Sequence, residues 1–293
     1  MTPMNALLLL PLLAPLSSPQ DAPWWGEETA RSLARAGDAA TAWEATLADA
    51  PMELRGGLEH LVAAMPTADL TALAPERIVE EVRLATEVRS RMPWGPGLDD
   101  ALFFEHVLPY AHVSESRDPW RAELTEMCLP LVADCKTPGE AAQRLNEQLF
   151  GKVGVKYSTK RKRADQSPKE SMEQGLASCT GLSILLADAC RAVCVPARLA
   201  GTADWAEKDG NHTWVEVWDD GWHFTGACEP DARGLDHGWF AGDAARAVVG
   251  DPLKGIWAVS WSAPGAFTMA WAPGRRVGGV EVTRRYLQDE PVI

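Results

Sequence analysis

The sequence predicts an α+β protein. Residues 21 to about 120 read as a run of helices. In the second half, one helix-like segment with apolar residues on one side stands just before segments whose apolar residues alternate with period two. The length of 293 residues is enough for one large domain or two modest ones.

The elements follow in order. Glu27 to Ala50 is rich in Ala, Glu, Arg and Leu until Pro51 interrupts it. Helical runs at Glu53–Ala64 and Pro75–Arg91 come next; the second carries Ile78, Val79, Val82, Leu84 and Val88 at mostly three and four spacing. The stretch Met92–Gly97 (MPWGPG) breaks the pattern. Thr137-Pro-Gly-Glu140 marks a helix start, with Thr137 as N-cap, Pro138 at the first position and Glu140 at the third. That helix runs through Ala141, Leu145 and Leu149. Leu182–Val193 is the second helix of this half, with Leu182, Leu185, Leu186, Ala189 and Val193 on one side, and Pro196 ends it. Strands are predicted at Ala197–Thr202 and at His212–Trp218 (HTWVEVW); Asp219-Asp220-Gly221 turns the chain into a return strand, Trp222–Ala227. Gly255–Trp261 and Phe267–Trp271 also read as extended, so an antiparallel meander is expected. The divisions expected are a leader at 1–20, a helical region at 21–120, a domain at 121–245 and a β-rich extension at 246–293.

Charge and composition exclude some functions. A formal net charge of −13 argues against nucleic acid, which needs a broad cationic surface. Thirteen Trp against three Tyr predict many buried or cleft-lining indoles. Met1 to Gln20 carry no charge, and Ala6–Leu16 form an apolar stretch like the core of a secretory signal, too short for a spanning helix of about 20 apolar residues. Export to the periplasm or beyond is therefore expected, with no stable membrane insertion. In so acidic a chain the run Lys160-Arg-Lys-Arg163 stands out, as a solvated loop or as an anion-facing rim.

Six Cys are too few for a disulfide framework, and none has CxxC spacing; Cys128 and Cys135 are either a bridge or two buried thiols. Cys190 and Cys194 read as small core residues. The His residues form no ligand-spaced set, so no metal and no cofactor is predicted. Cys179 is different, because it sits where a polar loop becomes a helix. A helix N-terminus favours a thiolate, and its free amides can hold an oxyanion. His212 opens a strand after a Gly/Asn/Asp-rich loop, a place from which a side chain projects into a cleft. A nucleophilic Cys needs such a base, and the base needs an orienting group. Glu229 and Asp231, after the return strand, are near the right place for it.

Three segments then carry a resemblance: GLASCTGLSILLADACRAVCVPARLAG (Gly175–Gly201), NHTWVEVWDDGWHF (Asn211–Phe224) and GACEPD (Gly226–Asp231). Over residues of about 140 to 240 the chain resembles the transglutaminase-like superfamily. The resemblance implies a papain-type fold with Cys179 as nucleophile, His212 as base and an acidic third member. The family usually has Asp four residues after the Trp of the return strand; here that position is Gly226, with Glu229 the closest carboxylate and Asp231 the fallback. Cys194 stands where the family often has Gly, a departure expected to affect packing only. Gln148 and Tyr157 are candidates for the oxyanion partner by position. Trp214, Trp218 and Trp222 read as core, Glu216 as exposed or salt-bridged, and Arg198 as half of a structural ion pair.

The function expected is cysteine-nucleophile acyl transfer on amide or peptide bonds, with a peptide or protein as substrate, and hydrolysis favoured over cross-linking. The alternative is an inactive transglutaminase-like module that binds peptides or scaffolds partners.

Overall fold

The computed structural model describes residues 22–287, so the predicted leader lies outside the described residues. The front of the chain is helical: α1 Glu27–Ala34, α2 Ala40–Ala48, α3 Met52–Ala64, α4 Thr67–Ala72, α5 Pro75–Arg91 and α6 Asp100–His106. The expected run from Glu27 to Ala50 divides into two helices around a short turn at Gly37–Ala39. In α5 the buried apolar positions after Pro75 are Ile78, Val82, Ala85 and Val88, without Val79 and Leu84, and Glu81 is buried among them as the partner of Arg121.

The second half begins with α7 Trp120–Cys128 and α8 Pro138–Val153, whose N-cap is Thr137, accepting from the Glu140 amide. There follow β1 Lys156–Tyr157, α9 Pro168–Gln174, β2 Leu176–Ala177 and α10 Cys179–Ala192. β1 and β2 pair in parallel; strands of two residues are too short for alternation to reveal them. α10 is buried all round, not on one face alone: every residue from Thr180 to Ala192 is inaccessible. Helices α7, α8 and α9 pack on it, and strands pack on its other side.

Its two charged residues are matched internally. Arg191 donates to the carbonyls of His106, Pro109, Ala111 and Ala197. Asp188 Oδ1 lies 3.0 Å from His112 Nε2. Burial pushes the Asp188 carboxyl up and the His112 imidazole down, which favours the neutral forms of both.

The sheet is formed by β3 Ala197–Thr202, β4 His212–Trp218, β5 Trp222–Thr225, β6 Trp257–Val259, β7 Gly265–Thr268 and β8 Arg276–Glu281, in the order β5-β4-β3-β6-β8-β7. All neighbours are antiparallel. Only β3 to β5 form the expected meander. β6 crosses back to the free edge of β3, and β8 slots between β6 and β7. The reason is visible in β3 itself, all six residues of which are buried, so it needs a neighbour on each side. β5 stops at Thr225, before the predicted Ala227.

One continuous apolar core runs from Leu33 in α1 to Met269 after β7. Two indoles tie front to back: Trp94 Nε1 donates to the Cys194 carbonyl at 3.0 Å, and Trp261 Nε1 donates to that of Leu61 at 3.1 Å. Cys128, Cys135, Cys190 and Cys194 are buried free thiols. Among the described residues no helix is long and apolar enough to cross a membrane.

Candidate active site

Cys179 is the first residue of α10 and is half-buried. Ser178 caps the helix, its Oγ accepting from the Gly181 amide at 3.1 Å and donating to the Ala164 carbonyl. Leu182 N–H already reaches the Ser178 carbonyl. The first-turn amides left over are those of Cys179 and Thr180, as expected where a helix begins.

His212 opens β4, and two bonds lock β4 onto the start of α10. Thr180 Oγ1 donates to Thr213 Oγ1 and Ser183 Oγ to the Thr213 carbonyl, each at 3.1 Å. Sequence reasoning missed Thr180, Ser183 and Thr213, since small hydroxyl residues carry no periodic signal. Gly201 completes the fit: a Cβ there would stand 2.5 Å from the His212 carbonyl oxygen. Cys179 and His212 thus come to line one cavity of about 250 Å³, with Tyr157, Leu182, Glu229 and Trp239 around them. A larger cavity, about 720 Å³, opens beside Trp24 and Trp25 and contains no nucleophile.

The imidazole of His212 sits in an aromatic cage. Ring centroids of Trp239, Phe240, Trp214 and Trp205 lie 4.8, 4.9, 5.8 and 6.3 Å away. Burial, with a smaller push from the Lys208 ammonium, lowers its pKa to about 4. Its Nε2 is buried and has no hydrogen-bond partner among the described residues.

Glu229 reaches the cavity through a tight turn. Its N–H donates to the Gly226 carbonyl, and Cys228 at the turn's corner has φ +65°. The turn folds the Glu229 side chain over Gly226, where a Cβ would lie 2.8 Å from Glu229 Oε2. The glutamate therefore fills the space that a side chain at position 226 would take. Asn146 of α8 clamps this turn, donating from Nδ2 to the Gly226 carbonyl (2.8 Å) and to Thr225 Oγ1 (3.0 Å), and accepting the Cys228 N–H on Oδ1 (2.8 Å). On that helix the sequence pointed to Ala141, Leu145, Gln148 and Leu149, and not to Asn146. A polar residue on the buried face of Leu145 and Leu149 was the available sign.

The expected contact between Glu229 and His212 is not made. Glu229 Oε2 instead accepts from Trp239 Nε1 at 2.8 Å. Burial raises the Glu229 carboxyl, opposed by this bond. Asp231 is held by Arg233 and does not line the cavity. Tyr157 stands at the cavity rim, 59% exposed, whereas Gln148 lies on the outer surface of α8 away from it.

Other expectations divide. Trp214 is fully buried, and Trp218 and Trp222 are half-buried. Glu216 is buried, not exposed: it takes Arg198 Nε at 2.7 Å, Arg285 Nη1 at 2.9 Å and the Tyr286 hydroxyl at 2.8 Å. Cys194 has φ +60°, a left-handed conformation that favours Gly, so its Cβ carries backbone strain there. In the basic run, Arg163 is tied to Asp165 and the Ser114 carbonyl, while Lys160 and Lys162 are exposed. Among the described residues no group of three or more His, Cys, Asp or Glu is placed to hold a metal.

A thiol at the start of a buried helix and a histidine at the start of an antiparallel strand thus line one cavity. Residues 125–244, about two-fifths of the chain, match the model of the transglutaminase-like superfamily. A crystal structure of a candidate cysteine protease from Cytophaga hutchinsonii is similar at 19% identity, over 62% of this chain and 63% of that one, with a TM-score of 0.35. The chain thus spans a little under two thirds of that protein's length. No curated protein matches it.

Proposed function

We propose that the protein is a cysteine acyl-transfer enzyme that cleaves amide or peptide bonds. The carrying observation is the shared cavity of Cys179 and His212, with α10 and β4 locked together through Thr213. In this reading Cys179 Sγ attacks the carbonyl carbon as His212 takes its proton. The Cys179 and Thr180 amides, with the Tyr157 hydroxyl at the rim, stabilise the oxyanion. The tetrahedral intermediate collapses to an acyl-thioester, and His212 returns the proton to the leaving amine. Water then attacks the thioester while His212 accepts one of its protons; the thiol is re-formed and the acid released. Glu229 is the third member, turned toward the imidazolium when it forms. The uncharged, leucine-rich start of the chain supports export, and with it a peptide substrate in the periplasm or outside the cell.

One observation favours the alternative of an inactive peptide-binding module: the partnerless Nε2 and lowered pKa of His212 describe a poorly supported base. Alkylation of Cys179 by iodoacetamide between about pH 5 and 9, in wild type and His212→Ala, decides between them. The enzyme reading expects fast labelling below the range of an ordinary thiol, lost in the variant. Slow labelling that follows an ordinary thiol in both proteins would leave the binding module.

A further inference from the structure

Trp239, His212 and Glu229 line one cavity. The Glu229 carboxylate accepts a single side-chain hydrogen bond among the described residues, from Trp239 Nε1. In the same cavity wall His212 Nε2 is buried with no hydrogen-bond partner among the described residues. A buried polar atom left unpaired is destabilising, so Nε2 favours any partner that comes within reach. The indole that holds the carboxylate is itself 59% exposed, although its ring packs 4.8 Å from the imidazole. The most accessible member of the cage is thus the one that occupies the orienting carboxylate.

We propose that Trp239 is a positioning residue that holds Glu229 off His212 in the resting site, and that displacement of its indole by an entering substrate hands the carboxylate to His212 Nε2. This rests on the Cys–His reading above and adds a resting state to it. No bond to carbon is made or broken in the switch. One N–H···O hydrogen bond, from the indole, is exchanged for another, from the imidazole.

The groups that face His212 are few. Cys179 lies on α10, Tyr157 on β1 and Glu229 on the turn after β5. Lys208, in the loop before β4, is paired with Asp243 of the short helix α11 Ala241–Ala244. Lys208 opposes protonation of His212 in both states, so the carboxylate is the one of these groups whose engagement changes. With Glu229 on Trp239, burial dominates and the imidazole stays neutral. With Glu229 on Nε2, an ionised partner favours imidazolium, which the mechanism needs once the thiol has given up its proton.

The experiment is the titration of His212 by NMR in wild type, Trp239→Phe, Glu229→Gln and the double variant. Phenylalanine keeps the ring and removes the donor. The expected result is a His212 pKa at least one unit higher in Trp239→Phe than in wild type, with that rise absent when Glu229→Gln is added. Alkylation of Cys179 in Trp239→Phe should then extend to lower pH. An unchanged His212 pKa in Trp239→Phe overturns the proposal. So does a rise that survives Glu229→Gln, since it comes from solvent admitted to the cage. Failure of the Cys–His reading shows separately, as Cys179 labelling in the wild type that is indifferent to His212→Ala.

Discussion

His212 illustrates how a single side chain carries the site's electrostatics into the stability of the whole protein. The unfolded chain protonates a histidine near 6.5, whereas the folded one holds His212 neutral down to about 4. Unfolded protein therefore binds the extra proton first. The associated stability is fully present above about pH 6.5 and is lost as pH falls toward 4. His212→Gln should lose less stability than wild type between pH 7 and 4.5, by about 2–3 kcal/mol at roughly 1.4 kcal/mol per unit. Urea unfolding at the two pH values measures this, and His106 and His112, lowered in the same direction, are common to both proteins. Cys194 gives a backbone counterpart. A left-handed φ costs a residue with a Cβ roughly 1–2 kcal/mol. Both Cys194→Gly and Cys194→Ala remove the thiol, so Gly should be the more stable by about 1 kcal/mol, the reverse of the usual order. Thermal melts of the pair check it.

The elements show what was legible in the sequence and what was not. The strands at 197–202 and 212–218 and the helix start at Pro138 are found where predicted, because alternation and capping residues are local signals. Cys179, His212 and Glu229 could be picked out because their residue types and flanking turns are informative. What could not be read was long-range: β6 adding to the far edge of β3, and the burial of α10 on every side. Its Asp188 and Arg191 look like surface residues until His112 and the carbonyls of 106–111 are seen around them. The Gly226–Glu229 turn belongs to the same class, since its clamp comes from Asn146 on α8, about eighty residues earlier. Asn146→Ala leaves a carbonyl, a hydroxyl and an amide without their partner. At about 1–3 kcal/mol per unpaired buried group, it should lower stability by at least 2 kcal/mol. Equal unfolding midpoints for variant and wild type would remove Asn146 from this role.

At the scale of the molecule, the segment that matches the superfamily model shares its core with the rest of the chain. The match ends at residue 244, but β6, β7 and β8 continue the same sheet from the edge of β3. Arg285 and Tyr286 supply two of the three partners of buried Glu216. On the other side, His112 and three of the four carbonyls that hold Arg191 of α10 come from before residue 121. A fragment of residues 121–245 would leave a buried carboxylate short of partners and expose the free edge of β3. It should show no cooperative melt by circular dichroism, whereas residues 22–287 should unfold in one transition. A sharp melt for the short fragment would establish it as an independent unit.

The two indoles that tie front to back have a practical meaning. Trp94 and Trp261 reach carbonyl groups 100 and 200 residues away in sequence, and both are partly shielded by the apolar core. If the helical layer lifted from the sheet, these two chromophores would enter water together while most of the other tryptophans stayed where they are. Separation of the layers would then appear as a red shift in fluorescence, which a single global transition places at the same midpoint as the loss of helix, so the chain carries its own optical gauge of whether its two halves remain docked.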